Sequence, residues 1–429
     1  MKFVLSTFQW FIFILIGAIV APIVIGDAFG LSQTEIASFL QRTIFITGCA
    51  TLLQVLFGHR LPIAEGPAGL WWGTFIVYAN LAASQALSTD SALRQLEATM
   101  LLSGLFFLII GAFKLVNTIK KLFTPLVTGT FLLLLTAQLG SSFVKGMLGV
   151  GYVSDTIEAK IALPALFVLF ITIMFSRSRI VFIRRYSILL SLLIGWLLYF
   201  LLQLTKPIEK YTATFQFPEL FAFGKPEFTS GTVITALMLT MLLLTNMIAS
   251  INVVEQTLEK QTPVDYNRSS IIAGINQSLS GVFAGVASVP LSVTAGFLMA
   301  TRTFEKLPFI FANIGIILLS MFPKVLSIFA NIPAPVGYAV MFITIAGLAS
   351  LGIQAFHSLA LTERQLFTIS LSFMIGIGSM FIPSESIAHL PNFIMILINN
   401  GLILGTVLCI CIEQIFQLLE TRRNRTDET

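Results

Sequence analysis

Two carboxylates stand where the chain is otherwise apolar. Glu65 lies in Leu61-Pro-Ile-Ala-Glu-Gly-Pro-Ala-Gly69, and Glu255 closes the apolar stretch that carries Ala249, Ser250 and Asn252. An ionisable side chain held in lipid is costly and is a functional candidate by default. Taking a carboxyl out of water favours its neutral form, which suits it to bind and release a proton. Glu65 is the candidate for accepting hydrogen bonds from ring N–H groups and for carrying a coupled proton. Its alternative is a carboxylate at the membrane surface, paired with Arg60 or His59. Glu255 is the second coupling candidate, with a solvated helix end near Lys260 as the alternative.

Asn246, Ser250 and Asn252 could bond a substrate or only a neighbouring helix. Trp71 and Trp72 offer π faces to a flat ligand, or anchor a helix at the bilayer surface. The three histidines are scattered, with His59 and His357 expected in cytoplasmic loops, and they make no metal site. Cys49, Cys409 and Cys411 lie inside apolar runs without disulfide or metal spacing. No nucleophile–base pair or metal cluster is evident, so neither an enzyme nor a cofactor is expected.

The elements that hold these residues are membrane helices. Of 429 residues, 56% are hydrophobic and only 10% charged, and the mean hydropathy is +0.92. A soluble domain carries roughly 25% charged residues, so this surface must face lipid. About fourteen segments fit a span: 8–25, 36–57, 64–82, 97–113, 122–141, 161–175, 187–204, 231–254, 269–288, 291–301, 308–330, 334–352, 365–382 and 393–416. The first is read as a retained helix rather than a signal peptide, because similar runs recur to the end of the chain. With the N-terminus inside, 17 of the 25 Lys and Arg fall on the cytoplasmic side and 8 outside, as the positive-inside rule requires. The longest connection, roughly 205–230, is expected outside, and Glu420–Thr429 forms a short solvated tail. The net charge of +5 marks topology, with no nucleic-acid partner.

The third and tenth segments are weak, and both are broken by Gly and Pro. Gly66, Pro67 and Gly69 precede a helical run from Leu70. Pro290 and Ser292 precede Thr294 to Arg302. Unwound backbone in a membrane must be buried or line a cavity, and paired interrupted helices mark transporter sites. Helix N-termini there present N–H donors and partial positive charge. The plainer alternative is that Gly and Pro are frequent in membrane helices.

The stretch Gly48-Cys-Ala-Thr-Leu-Leu-Gln-Val-Leu-Phe-Gly-His-Arg-Leu-Pro-Ile-Ala-Glu-Gly66 resembles the second and third segments of the nucleobase–ascorbate transporter family, which includes uracil and xanthine permeases. Gly296-Phe-Leu-Met-Ala-Thr-Arg302 resembles Gly-x4-Thr-Arg, the second half of that family's signature. Gln9-Trp10 resembles its first-helix Gln-His, and Leu390-Pro391 with Asn400-Gly401 its final hairpin. The likeness is colinear over nearly the whole chain.

The resemblance implies an all-α polytopic membrane protein of fourteen helices in a seven-plus-seven inverted repeat. It implies a core from 1–120 (helices 1–4) and 229–331 (helices 8–11). The gate would be 121–228 (helices 5–7) and 332–418 (helices 12–14), followed by a cytoplasmic tail at 419–429. Short strands in helices 3 and 10 would hold a nucleobase against helix 8, at Glu65, Gly66, Ala68, Gly69, Ala249, Ser250, Val293 and Thr294, with Trp71 and Asn252 as further contacts. The resemblance also implies a plasma-membrane location; many bacterial members of the family are proton symporters, and homodimers are known among them. Two positions depart from the pattern. The signature's opening Gln, Glu or Pro and following Asn read Val293 and Thr294, and the usual helix-8 acid falls at Ala249, or at Ser250 with a one-residue slip.

The expected function is therefore a proton-coupled permease for a purine or pyrimidine base. An anion transporter or channel of the same architecture is the alternative, and a non-transporting receptor-like member is another. A cation facing the breaks would favour the anion reading; none lies between Glu65 and Leu70 or between Pro290 and Ala300.

Overall fold

Two three-residue strands interrupt an otherwise helical chain. The computed structural model describes every residue except 1, 84–86, 117, 119–123, 155, 186, 206–213, 259–263, 293, 296, 299–303, 358, 360, 383–385, 387–400 and 428–429. The protein is 77% helical. Among the described residues seven helices are long and apolar enough to cross a membrane, and a bent pair makes an eighth.

The chain runs α1 (Lys2–Ala28), α2 (Gln33–Phe57), β1 (Glu65–Pro67), α3 (Gly69–Ala83), α4 (Thr89–Ala112), α5 (Pro125–Met147), α6 (Ala159–Ser176), α7 (Val181–Arg185) and α8 (Ser187–Leu201). It continues with α9 (Ser230–Thr257), α10 (Tyr266–Val282), β2 (Ser288–Pro290), α11 (Lys306–Ser320), α12 (Pro323–Ala330), α13 (Ala334–His357), α14 (Glu363–Ser379) and α15 (Gly401–Asp427). Two compact units are present: Met1–Leu115 with Ser142–Thr344, and Val116–Ser141 with Ile345–Thr429.

Local chemistry sets the helix starts. Ser32 and Glu35 form a reciprocal capping box on α2, and Thr362 and Gln365 form another on α14. Ser88 caps α4, so that helix begins well before the expected 97. Asp265 caps α10 through the amides of Asn267 and Arg268. The segment expected as one span over 308–330 is two helices bent by 87°, because Pro323 cannot continue α11 and instead opens α12.

The first unit holds everything around the strands. Glycines close its α4–α10 packing. A Cβ on Gly104 would meet the Gly274 carbonyl at 2.8 Å, and one on Gly111 would meet the Asn267 carbonyl at 2.6 Å, the small-residue contact that lets helices approach in lipid. Residues 214–229 lie across this unit. Gln216 N–H donates to Met321 O, Phe221 N–H to Val282 O, and Phe223 N–H to the buried Glu97 carboxylate at 3.1 Å. Arg42, also buried, donates to Ala284 O and Ser38 Oγ and lies over the Phe39 and Phe223 rings. In the second unit, Arg364 pairs with buried Glu413 at 3.9 Å.

Candidate functional site

The two breaks meet as a sheet. β1 and β2 pair antiparallel, with Glu65 opposite Pro290, Gly66 opposite Val289 and Pro67 opposite Ser288, and all six residues are buried. Leu291 N–H donates to Ala64 O at 2.9 Å and Ala68 N–H to Ala287 O at 3.2 Å. Hydrogen-bonded pairs alternate in an antiparallel ladder, so Gly66–Val289 is bonded while the flanking pairs are not. Both prolines therefore stand at positions that need no N–H, the places a strand tolerates them.

Each strand follows a helix end that turns through a left-handed residue: Arg60 (φ 60°) after α2 and Ala284 (φ 48°) after α10. The same order of helix, left-handed residue and proline-bearing strand occurs at both breaks. Gly66 is required by closeness rather than by φ, since a Cβ there would lie 2.7 Å from Leu291 Cδ1.

The strand edges are tied to α2 and α10. Thr43, Thr47 and Thr51 recur every four residues along one stripe of α2. Thr43 Oγ1 accepts from Val286 N–H at 3.2 Å, Thr47 Oγ1 lies 3.5 Å from Ser288 Oγ, and Thr51 Oγ1 accepts from Glu65 N–H at 3.1 Å. On the other edge, Gln277 Nε2 donates to Ser288 O at 2.9 Å while its Oε1 accepts from Trp71 Nε1 at 2.8 Å. Thr294 Oγ1 accepts from Ala64 N–H at 3.3 Å.

The Glu65 side chain is 1% exposed, and its Oε1 lies 3.6 Å from His59 Nε2. That oxygen has no hydrogen-bond partner among the described residues; nor do Ser250 Oγ and Trp72 Nε1. Ser250 is on α9, which packs on β2 and α3, and Trp72 is on α3, which follows β1 directly. Buried polar groups are ordinarily paired, so the unpaired Glu65 oxygen on β1 marks a place where a polar ligand would be held.

The permease family model matches residues 1–385. The chain belongs to this family, the nucleobase–ascorbate transporters, and is a multi-pass membrane protein. It is 38% identical, over 99% of its length and 98% of the relative's, to YwdJ of Bacillus subtilis, provisionally named a purine permease. It is 23% identical to the xanthine permease of the same organism, over 96% of this chain and 93% of that one. Among solved structures it resembles the transmembrane domain of the cyanobacterial bicarbonate transporter BicA (TM-score 0.64, 17% identity, 95% of this chain and 96% of that one). It also resembles the murine anion transporter Slc26a9 in its inward-facing state (TM-score 0.67, 10% identity, 97% and 69%). At these identities the structural likeness speaks for the fold alone.

Seen in this nucleobase–ascorbate transporter, the residues expected from sequence divide. Glu65, Gly66, Ala68, Gly69 and Thr294 gather at the strand pair. Ala68 and Thr294 spend their N–H groups on Ala287 O and Leu291 O, which leaves the opening N–H groups of α3 as backbone donors. Ser250 is buried on α9, whereas Ala249 beside it is exposed. Glu255 belongs to a different cluster at the end of α9. It accepts from Val264 N–H at 2.9 Å, and the single hydrogen of the Tyr266 hydroxyl is shared between its carboxylate, 3.2 Å away, and Asn252 Oδ1. Trp71 and Trp72 are buried rather than surface anchors. His59, expected in a cytoplasmic loop, lies between α2 and β1 but is only 2% exposed. Val293, Gly296, Arg302, Leu390, Pro391 and Asn400 lie outside the described residues.

Sequence reasoning missed the α2 threonines and Gln277. The threonine repeat at every fourth position was a readable signal. Gln277 was not readable, because nothing in its neighbourhood says that its amide faces β2 on one side and Trp71, 206 residues earlier, on the other.

Proposed function

We propose that this protein is a secondary active transporter for a purine or pyrimidine nucleobase, with its binding site at the β1–β2 pair. The observation that carries this reading is the buried Glu65 carboxyl, with an unpaired oxygen, at the junction of two broken segments in a chain of the nucleobase–ascorbate transporter family. Relatives named as purine, xanthine and uric acid permeases support the substrate class.

A nucleobase presents carbonyl acceptors and ring N–H donors on one plane. The N–H groups that open α3 at Gly69 would meet the carbonyls, Glu65 would accept from ring N–H groups, and Ser250 and Thr294 would complete the polar wall. Ala249 and Val293 occupy the family's acidic positions without a charge, so Glu65 is the acid left to couple a proton. Glu255, engaged by Tyr266 and Val264, is the weaker coupling candidate. The family pattern supplies the rest: fourteen helices in two inverted sets of seven, alternating access by movement of a core against a gate, residence in the plasma membrane and cytoplasmic termini.

Energised proteoliposomes offered labelled uracil, xanthine, hypoxanthine, guanine and uric acid test this. Uptake of at least one base, driven by an inward proton gradient and abolished in Glu65→Gln, is expected. Accumulation of none of them overturns the reading, and uptake of bicarbonate or sulfate instead would favour the anion transporter whose fold this chain shares.

A further inference from the structure

We infer that Arg42 is a positioning residue for β2, and that Phe223, in the connection at 214–229, is the seat that orients its guanidinium. That β2 lines the substrate site rests on the transport reading; the control of β2 by Arg42 and Phe223 goes beyond it.

Arg42 lies within α2, a helix long and apolar enough to cross a membrane, and is only 4% exposed. A charge held there is costly and is a functional candidate by default. Nε donates to Ala284 O at 3.1 Å, Nη1 donates to Ser38 Oγ at 2.7 Å, and the guanidinium carbon lies 5.2 Å from the Phe223 ring centroid. The planar fork of an arginine can donate in its plane and stack on a ring with its face at the same time. Ala284 is the left-handed residue of the turn that leads from α10 into β2. That turn is pressed on α2, because a Cβ on Gly285 would lie 3.2 Å from the Arg42 carbonyl carbon and from the Thr43 nitrogen. Val286 N–H then donates to Thr43 Oγ1, and Ala287 O accepts from Ala68 N–H. Arg42 thus fixes the start of the run that becomes β2, with no element between them.

The connection at 214–229 meets the same turn. Phe221 N–H donates to Val282 O at 2.7 Å, two residues before Ala284. Phe223 N–H donates to Glu97 Oε1 on α4 at 3.1 Å, while its ring faces the Arg42 guanidinium and lies 5.6 Å from the Phe39 ring. Glu97 is fully buried, and its Oε2 has no hydrogen-bond partner among the described residues. Two buried ionisable groups on two helices therefore share Phe223: Glu97 takes its amide and Arg42 its ring. Without that ring the guanidinium loses the face that sets its plane, and with it the direction of the Nε–H bond to Ala284 O. A residue of the connection, far from β2 in sequence, thus reaches the strand through one arginine.

Hydrogen–deuterium exchange on the full-length protein in nanodiscs tests this without any substrate, since exchange reports local opening. Phe223→Leu keeps apolar bulk and the backbone N–H to Glu97 but offers no π face. The amides of 285–291 should then exchange about two- to fivefold faster, the effect of losing one cation–π contact. Phe223→Tyr keeps the ring and should exchange as the parent does. Arg42→Lys keeps the charge without the fork and should exchange at 285–291 at least as fast as Phe223→Leu. Helix α6, which packs on α8 in the same unit, should be unchanged in all three. Parental exchange at 285–291 in Phe223→Leu or Arg42→Lys, acceleration in Phe223→Tyr, or an equal rise in α6 each overturns the inference. The two Phe223 variants decide it even if Arg42→Lys does not fold. Failure to accumulate any base in proteoliposomes would defeat the transport reading while leaving these exchange rates intact, so the two failures are distinguishable.

Discussion

The backbone N–H of Glu65 donates to the hydroxyl of Thr51 at 3.1 Å, and the same hydroxyl donates to Thr47 O at 2.7 Å. The candidate acid is thereby fixed to α2 through its main chain, leaving its side chain for other partners. Thr51→Val keeps the shape and removes the acceptor, so a buried N–H loses its partner at a cost of about 1–3 kcal/mol. Thr51→Ser keeps the hydroxyl and gives up only a methyl group. Thermal unfolding in detergent should place the Val variant clearly below the Ser variant; equal midpoints would show that the hydroxyl does not hold the strand.

Gly66 sits where β1 and the residues after β2 are closest. A methyl group there would come within 2.7 Å of Leu291 Cδ1, nearer than real contacts allow, so Gly66→Ala must displace either that side chain or the strand. Uptake should fall severely in Gly66→Ala and recover in part when Leu291→Ala supplies the space. No recovery in the double variant would mean that Gly66 matters for something other than clearance.

Ala284 holds a left-handed backbone, φ 48°, in a buried turn. A non-glycine residue there costs roughly 1–2 kcal/mol, while a glycine loses roughly 0.5–1 kcal/mol more entropy on folding. Ala284→Gly should therefore stabilise by up to about 1 kcal/mol, read as a higher unfolding midpoint. The Arg42 hydrogen bond to Ala284 O is to the main chain and survives the change. A lower midpoint would show that the turn is relaxed as it stands.

Much of the architecture was legible because lipid imposes a coarse code. Apolar run length marked the long helices, of which seven or eight among the described residues can cross a membrane, and Gly66, Pro67 and Pro290 marked the two interruptions. What the sequence could not tell is how the interruptions are upholstered. The α4–α10 contact depends on Gly104 against Gly274, Gly111 against Asn267 and Gly281 against Leu101, yet isolated glycines in apolar runs look alike whether they face a helix or lipid. Pro323 was visible, but its 87° bend was not, since proline can either kink a span or end it. Trp71 and Trp72 could be read as ligand-facing rings or as surface anchors, and both are buried, with Trp71 bonded to Gln277 in a distant segment. Glu255 and Glu65 looked alike as acids at the edges of apolar runs, and only the partners Tyr266 and His59 tell them apart.

Gln277 gives the sharpest test of how the site is braced. Its amide donates to Ser288 O and accepts from Trp71 Nε1, so one side chain joins β2 to the first turn of α3. Gln277→Leu leaves a carbonyl and an indole N–H buried without partners and should cost about 2 kcal/mol or more. Trp71→Phe removes the donor but keeps most of the ring. If the bridge is one unit, the double variant should be less destabilised than the two single changes together, by about 0.5–3 kcal/mol. Additivity within about 0.5 kcal/mol would mean that Gln277 and Trp71 support the strands independently, and that the link from α10 through β2 to α3 carries no coupling.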